Sequence, residues 1–517
     1  MHEDLPTRPV RFIFRGQTTA VATPEPTRSV LQWLREDARA CGTKEGCAEG
    51  DCGACTVIVA ELADTLPEGH NAVVRNGVAL RPVNSCIRFL PTLHGKALLT
   101  VEDLAQPDGA LHPAQQALVN CHGSQCGFCT PGFVMSLAVS HERQQVQGRC
   151  ASRTELADDL AGNLCRCTGY RPILDAAEQM HTLPGPGLPL AGLREQLLAL
   201  RASMPAEATA AAPATVHSNN VRYHAPTQLA ELAQLRQALP DARLLAGGTD
   251  IGLWVTKQFR DLGTVIWLGD VAELRRITHT PDQRLHIGAA VTLEDAWQVL
   301  VRHWPTLSEM ARRFAGPPVR HAGTLVGNLA NGSPIGDSAP VLMALGATLH
   351  LQCGSTERSL PLENFYLGYM KNALQPGEFV SGVSVALPAH AQQQGWVHRA
   401  WKISKRFDCD ISALSAGLGL QFNGDTIVDA RLAFGGMDAV VRRAAGAEAA
   451  LRGQPWHEAT MRAASQALLT DFTPLSDLRA TAAYRQRAAA GLLHRLWLET
   501  RLHDPLPASA TRAAPVL

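Results

Sequence analysis

Apolar and polar positions set a strand period at the start of the chain and a helical one further on. Val10-Arg11-Phe12-Ile13-Phe14 and Thr18-Thr19-Ala20-Val21 flank Arg15-Gly16. β-Branched and aromatic residues on both sides of a turn glycine predict an opening β-hairpin. Val30, Leu31, Trp33 and Leu34 then follow two cap candidates, Thr27 and Ser29. That order predicts a helix packed on the hairpin. Thr56 to Ala60 reads as a further strand. Past Pro113 the spacing turns helical over Pro113 to Asn120, Gly132 to Glu142, Arg153 to Leu160 and Pro172 to Met180, which makes a small four-helix unit. Pro131 and Pro172 sit at or near helix starts, where a missing N–H costs little.

Pro184 to Val216 runs through Pro-Gly-Pro-Gly and an Ala-rich stretch with few large apolar residues. It reads as a linker with one short helix, Leu193 to Leu200. An alternating α/β pattern follows, with Leu229 to Leu239 helical and Arg243 to Ala246 a strand. The last third mixes the strands Val397 to Ile403 and Ala416 to Phe422 with the helix Ala444 to Leu451. It closes on a Pro/Ala-rich tail, Pro505 to Leu517, expected to be disordered. There are no internal repeats.

Length and charge limit the choices. A chain of 517 residues suggests about three domains at roughly 150 residues each. Its net charge of +0 points to neither nucleic acid nor an anionic membrane. Met1-His2-Glu3-Asp4 is acidic and lacks the apolar stretch of a signal peptide. No apolar run approaches the roughly 18 residues of a spanning helix. Thirteen cysteines in such a chain read as metal ligands and free thiols rather than a disulfide framework, so a reducing cytoplasm is expected.

The chemistry is concentrated in the cysteines. Gly46 to Cys55 presents Cys47, Cys52 and Cys55 at C-x4-C-x2-C spacing, the plant-type ferredoxin pattern, with Cys86 as the distant fourth ligand. Gly46, Gly50 and Gly53 let the backbone curl around an inorganic core. Hairpin, helix, cysteine loop and strand together make a β-grasp ferredoxin layout. Between the later helices, Cys126 and Cys129 face Cys165 and Cys167, giving four thiols from two loops, and the helix N-termini beside them favour an anionic cluster. A strand running into Gly247-Gly248-Thr249-Asp250-Ile251-Gly252 places backbone N–H groups where a phosphate can sit. Gly323 to Asn328, continuing to Ser333 to Asp337, is a second such place, and two cradles suit a dinucleotide. Gly417-Leu418-Gly419 lacks the third glycine of G-x-G-x-x-G, which excludes a Rossmann reading.

These residues together resemble the molybdenum hydroxylase family, and most closely the small subunit of the two-subunit bacterial xanthine dehydrogenases. The resemblance covers roughly residues 8 to 505. It is most specific at Gly46 to Cys55, His122 to Gly132 and Asn163 to Pro172. It implies a multi-domain α+β protein: a β-grasp 2Fe-2S ferredoxin domain over 8–100, a four-helix 2Fe-2S domain over 101–183, a linker over 184–216, a vanillyl-alcohol-oxidase-type FAD-binding domain over 217–392, a C-terminal α/β flavoprotein domain resembling that of CO dehydrogenase over 393–503, and a tail over 504–517. It implies that Cys47, Cys52, Cys55 and Cys86 hold the cluster nearer the flavin. Cys126, Cys129, Cys165 and Cys167 would hold the one nearer a molybdenum cofactor in a partner subunit, with Gln125 touching the pterin. FAD would lie on Leu244, Leu245, Ala246, Gly247, Gly248, Thr249, Asp250 and Ile251. Phe314 would stand near the flavin ring, Thr324, Asn328 and Asp337 around the phosphates and sugar, and Lys402 against the flavin, beside the nicotinamide entrance. The molybdenum-binding region has no counterpart in this sequence. The implied role is therefore transfer of electrons through both clusters to FAD and on to NAD+ during oxidation of hypoxanthine and xanthine to urate, in an assembly of two small and two large subunits.

Plainer readings stand beside these. C-x2-C pairs often serve zinc, but the C-x4-C-x2-C loop favours iron and sulfur. A Gly-Gly turn is often only a turn. Lys402 could be solvated, Phe314 could be plain core, and Asp337 could cap the helix that begins near Ser338. Cys41, Cys121, Cys150, Cys353 and Cys409 fall outside the ligand sets, with Cys409 in the nicotinamide-side loop. His303 and His321 are assigned no role. The same layout could serve an aldehyde or N-heterocycle hydroxylase, or a stand-alone electron carrier.

Overall fold

The computed structural model describes residues 9–22, 24–106, 108–204, 221–390 and 394–512, together with the backbone of 215–218. Met1 to Asp4, the Ala-rich part of the expected linker and residues 513–517 of the expected tail lie outside the described residues. The chain divides into two compact units. One holds residues up to Arg276 with Thr292–Asp295 and Ala315–Thr324, and the other holds Ile277–Val291, Ala296–Phe314 and Leu325 onward.

In the first unit the predicted hairpin is present, Val10–Phe14 pairing antiparallel with Gln17–Val21. It belongs to a six-stranded sheet in which Val10–Phe14 also runs parallel to Ala97–Leu99, and Thr56–Leu62 lies between Ala97–Leu99 and Val78–Asn84. Ser29, not Thr27, caps the following helix: its Oγ accepts from the Gln32 amide at 3.1 Å while Gln32 Oε1 accepts from Ser29 N–H. Such reciprocal caps satisfy two otherwise orphaned donors. Trp33 then packs edge-on against Phe12 and Phe14.

The four expected helices are Pro113–Asn120, Thr130–Gln147, Arg153–Asp159 and Arg171–Gln179. They share one apolar core with the inner face of the sheet, including Ile58, Leu80, Leu118, Phe133 and Ile173. A smaller sheet, with Val221–His224, Thr264–Trp267 and Arg243–Leu245 in parallel, completes the unit.

The expected linker is corrected over its first half. Leu188, Leu190, Leu193, Leu197 and Leu200 are buried in that same core, and the helix runs over Leu193–Ser203. Gln196 donates to the Gly16 carbonyl at 3.1 Å, and Arg201 pairs with Asp64. Leucines scattered among prolines and polar residues are few in composition, yet those at i, i+4 and i+7 suffice for one buried helical stripe.

The second unit contains a five-stranded antiparallel sheet with Phe379–Ala386 at its centre. A second antiparallel sheet of Trp396–Ile403, Leu414–Asn423, Thr426–Gly435 and Arg442–Arg443 is backed by the helices Ala445–Leu451, Glu458–Asp471 and Ala482–Thr500. Gly417 is a packing glycine in a strand: a Cβ there would meet the Pro340 carbonyl at 2.2 Å. The tail also needs correcting, since Ala508–Thr511 is helical and Thr511 donates to Glu499 at 2.5 Å.

Candidate functional site

Both thiol sets lie in the first unit. Cys47 contacts Cys52 and Cys86, and Cys55 contacts Cys86. Cys126 Sγ lies 3.3 Å from Cys167 Sγ, and Cys129 contacts Cys165. All eight are free thiols. In the first set the contacts run as a chain, Cys52 to Cys47 to Cys86 to Cys55, and in the second Cys126 meets Cys167 while Cys129 meets Cys165. Three thiols on one C-x4-C-x2-C loop with a distant fourth cysteine are the ligand pattern of a two-iron cluster rather than of zinc. In the first set, hydrogen bonds from Cys52 and Cys86 pull the Cys47 thiol down, and Cys86 does the same to Cys55. Cys52 and Cys86 are pushed up in return, as crowded thiols share protons. Burial, with Cys165 adding to it, pushes Cys129 up to about 12. Four thiolates at this spacing need a cationic core to neutralise them.

The loops are shaped for such a core. Gly50 and Gly53 have φ of 79° and 69°, and a Cβ on Gly46 would lie 2.8 Å from Cys52 Sγ. Cys129 sits at the N-cap of Thr130–Gln147, where the helix dipole favours negative charge. The environments differ. Cys55 and Cys86 are buried, while Cys126, Cys167 and Gln125 are exposed, beside Phe128 and Tyr170 at 47% and 40% exposure.

His112, His141 and Glu142 form a buried polar cluster outside the thiol sets. His112 Nδ1 accepts from Ala114 N–H at 3.1 Å. Its neutral ring therefore carries the proton on Nε2, which leaves no lone pair facing the cluster for a metal.

The glycine turn Gly247 to Gly252 follows the strand Arg243–Leu245 and leads into the short helix Ile251–Thr256. Gly248 has φ of 75°. The two glycine turns of the sequence meet here: a Cβ on Gly247 would lie 2.2 Å from the Ala322 carbonyl, and one on Gly323 would lie 3.0 Å from Thr249 Oγ1. Thr324 is buried in the same unit, and Leu245 turns its side chain into the core. Ala246 to Thr249 are half-buried and Asp250 is exposed. The turn also touches the first thiol set. A Cβ on Gly252 would meet the carbonyl of Ile87, next to Cys86, at 2.6 Å, and Thr256 Oγ1 donates to Ala48, next to Cys47, at 2.7 Å.

Phe314, Asn328, Asp337 and Lys402 lie in the second unit. Phe314 is buried with its ring 5.8 Å from Trp297, as the plain core reading expects. Lys402 is not solvated: it is 5% exposed and its Nζ donates to Asp337 Oδ2 at 2.7 Å. Asp337 Oδ1 accepts from Ser412 at 2.6 Å, and its carboxylate makes no cap bond to the helix behind it. Charge pairing outweighs capping because it removes two charges from isolation together. Asn328 Oδ1 and Ser338 Oγ are buried without partners on either side of the Ser333 to Asp337 segment. Orphaned polar atoms of this kind fit a bound polar group. Arg313 was not singled out from sequence. It donates to the Lys402 and Phe407 carbonyls and to Ser404 Oγ, holding the loop after Lys402; an arginine among other arginines carries no motif. Cys409 is buried in that loop with φ of 50°.

Family models match four consecutive stretches: a 2Fe-2S iron-sulfur cluster binding domain at 12–86, a [2Fe-2S] binding domain at 100–178, an FAD binding domain in molybdopterin dehydrogenase at 219–389 and a CO dehydrogenase flavoprotein C-terminal domain at 399–500. The chain is built as the iron–sulfur and flavin region of a molybdenum hydroxylase. Two 2Fe-2S domains and an FAD-binding domain follow in the order the resemblance implies. Xanthine dehydrogenase of Emericella nidulans is 31% identical over 98% of this chain and 39% of its own length. Xanthine dehydrogenase/oxidase of Rattus norvegicus is 30% identical over 82% of this chain and 34% of its own length. This chain therefore spans between about a third and two fifths of those relatives. The solved structure of quinoline 2-oxidoreductase from Pseudomonas putida 86 aligns with 55% of this chain and 98% of its own, at 26% identity and a TM-score of 0.49. Among the described residues, no helix is long and apolar enough to cross a membrane.

Proposed function

We propose that this chain is the electron-transfer part of a cytoplasmic xanthine dehydrogenase. Cys47, Cys52, Cys55 and Cys86 hold one [2Fe–2S] cluster, and Cys126, Cys129, Cys165 and Cys167 hold the other. Leu244 to Ile251, Phe314, Thr324, Asn328, Asp337 and Lys402 are the residues proposed for FAD. FAD supplies a two-electron store between one-electron clusters and NAD+, which accepts a hydride. The protein's own groups set distances and potentials through backbone hydrogen bonds and burial. The carrying observation is that one unit contains both thiol sets and the glycine turn, with Gly252 against Ile87 and Thr256 on Ala48.

Electrons enter from a molybdenum cofactor held by a large partner subunit, in an assembly of two small and two large chains. The exposed Gln125, Cys126, Phe128, Cys167 and Tyr170 support that face as the docking side. Xanthine as substrate rests on the names of the relatives, and hypoxanthine is included with it as the related purine.

The test is to purify the chain from its own cells with whatever accompanies it. A molybdenum-containing partner and xanthine-dependent NADH formation are expected. Oxidation of aldehydes or other N-heterocycles alone would move the substrate, oxygen in place of NAD+ would move the acceptor, and absence of any partner would leave a stand-alone carrier.

A further inference from the structure

The loop that carries Cys165 and Cys167 is tied to the loop that carries Cys47, Cys52 and Cys55 through one buried amide. Asn163 is 3% exposed. Its Nδ2 donates to the Gly53 carbonyl at 3.1 Å and to Thr56 Oγ1 at 3.3 Å. Its Oδ1 accepts from Ser136, in the helix that begins just after Cys129, at 2.7 Å. Both donors and the acceptor are thus engaged, each by a different part of the thiol-bearing structure. Beside the amide, Leu164 N–H donates to the Cys52 carbonyl at 2.9 Å. Leu164 precedes Cys165, so a single hydrogen bond joins backbone next to one candidate ligand to the backbone of another. No side chain can enter this junction. A Cβ on Gly53 would lie 2.2 Å from the Gly162 carbonyl, and one on Gly132 would lie 2.1 Å from the Gly53 carbonyl.

We propose that Asn163 is a positioning residue whose amide makes the two thiol loops one element. The two sites then load together and keep a fixed separation through the Cys52 to Leu164 bond. This deepens the cluster reading and rests on it. Asn163 touches neither thiol set itself; it acts through Gly53, Thr56 and the Leu164 backbone. A buried, fully satisfied amide suits this, because losing it leaves Ser136 Oγ without its acceptor and removes the side-chain bridge to Gly53 and Thr56.

The test compares the full chain with Asn163→Leu, close in shape and uncharged, and with Thr56→Val, which removes one of the two donor contacts together with the Thr56 Oγ1 bond to the Gly53 carbonyl. Each is purified without oxygen, iron and zinc are counted, and low-temperature EPR spectra are recorded after dithionite reduction. The unaltered chain is expected to hold about four irons and give two interacting signals. In Asn163→Leu, iron is lost from both sets together, or both signals shift and their mutual broadening falls. Thr56→Val moves the same quantities the same way by less. The proposal is overturned if Asn163→Leu keeps all its iron with both signals superimposable on the parent, or if one set empties while the other signal is unchanged. If Asn163→Leu gives no folded protein, Thr56→Val decides between the same outcomes. Two clusters in the parent with unmoved variants would overturn only the role of Asn163. Zinc in the parent would overturn the cluster reading and this proposal with it.

Discussion

Lys402 and Asp337 form a pair in which neither charge stands alone, with side chains 3% and 9% exposed. Removing one partner of such a pair costs about 3–5 kcal/mol, because the other is left buried and uncompensated. Lys402→Met is therefore expected to lower the denaturant midpoint of its unit, and Lys402→Met combined with Asp337→Asn to recover most of the loss. Equal midpoints for the single and double variants would contradict this. Glu61 gives the complementary pH prediction. Burial alone would raise its pKa, but Arg275, at 2.7 Å, with Lys96 and Arg81 brings it down to about 2. A depressed carboxylate stabilises the fold above its unfolded value, about 4.3, and that contribution disappears as pH falls towards about 2. Glu61→Gln should flatten the stability profile of the first unit in that window, read by fluorescence-monitored unfolding. At this scale sequence spacing identified the thiols, because ligands on short loops must be close in sequence. It missed Arg313, Asn163 and the Lys402 to Asp337 pair, whose partners lie tens of residues away and follow no period.

Elements were legible where a local signal, a turn glycine, a cap or apolar residues at a regular spacing, marks them in the sequence. The hairpin, the four helices and the strand Arg243–Leu245 all stand close to the residues their patterns predict. The helix Leu193–Ser203 was legible as a helix but not as part of the core, since proline and glycine around it suggest a free segment. Leu197 is fully buried. Leu197→Ala is expected to destabilise the iron–sulfur half by about 2–5 kcal/mol, the cost of a core cavity. A free linker would show almost no change in the same denaturation experiment. Gly247 belongs to this scale because two turns meet at it. With 2.2 Å to the Ala322 carbonyl there is no room for a methyl group. Gly247→Ala should separate the turns and reduce flavin content severalfold, measured as flavin absorbance per chain, while leaving the iron count unchanged. Full flavin occupancy in the variant would remove this turn from the FAD site.

The whole chain reads as four consecutive modules, but the proposed electron order is not the chain order: it runs from the thiols of the second module to those of the first and only then to the flavin module. Residues predicted for FAD fall in both compact units. Glycine turns and a buried lysine carry separate local signals, which periodicity alone does not join. The thiol sets differ in the same direction: Cys55 and Cys86 are enclosed beside the glycine turn, and Cys126 and Cys167 open to the surface. On the proposed function, an enclosed cluster beside the flavin and a more open one facing a partner are what a relay would need at its two ends.

The most direct test of that relay is to add NADH to the isolated chain without oxygen and follow flavin absorbance and low-temperature EPR together. Running in reverse, the relay should bleach the flavin and bring up two distinct [2Fe–2S] signals. Clusters that respond to dithionite but not to NADH would contradict it.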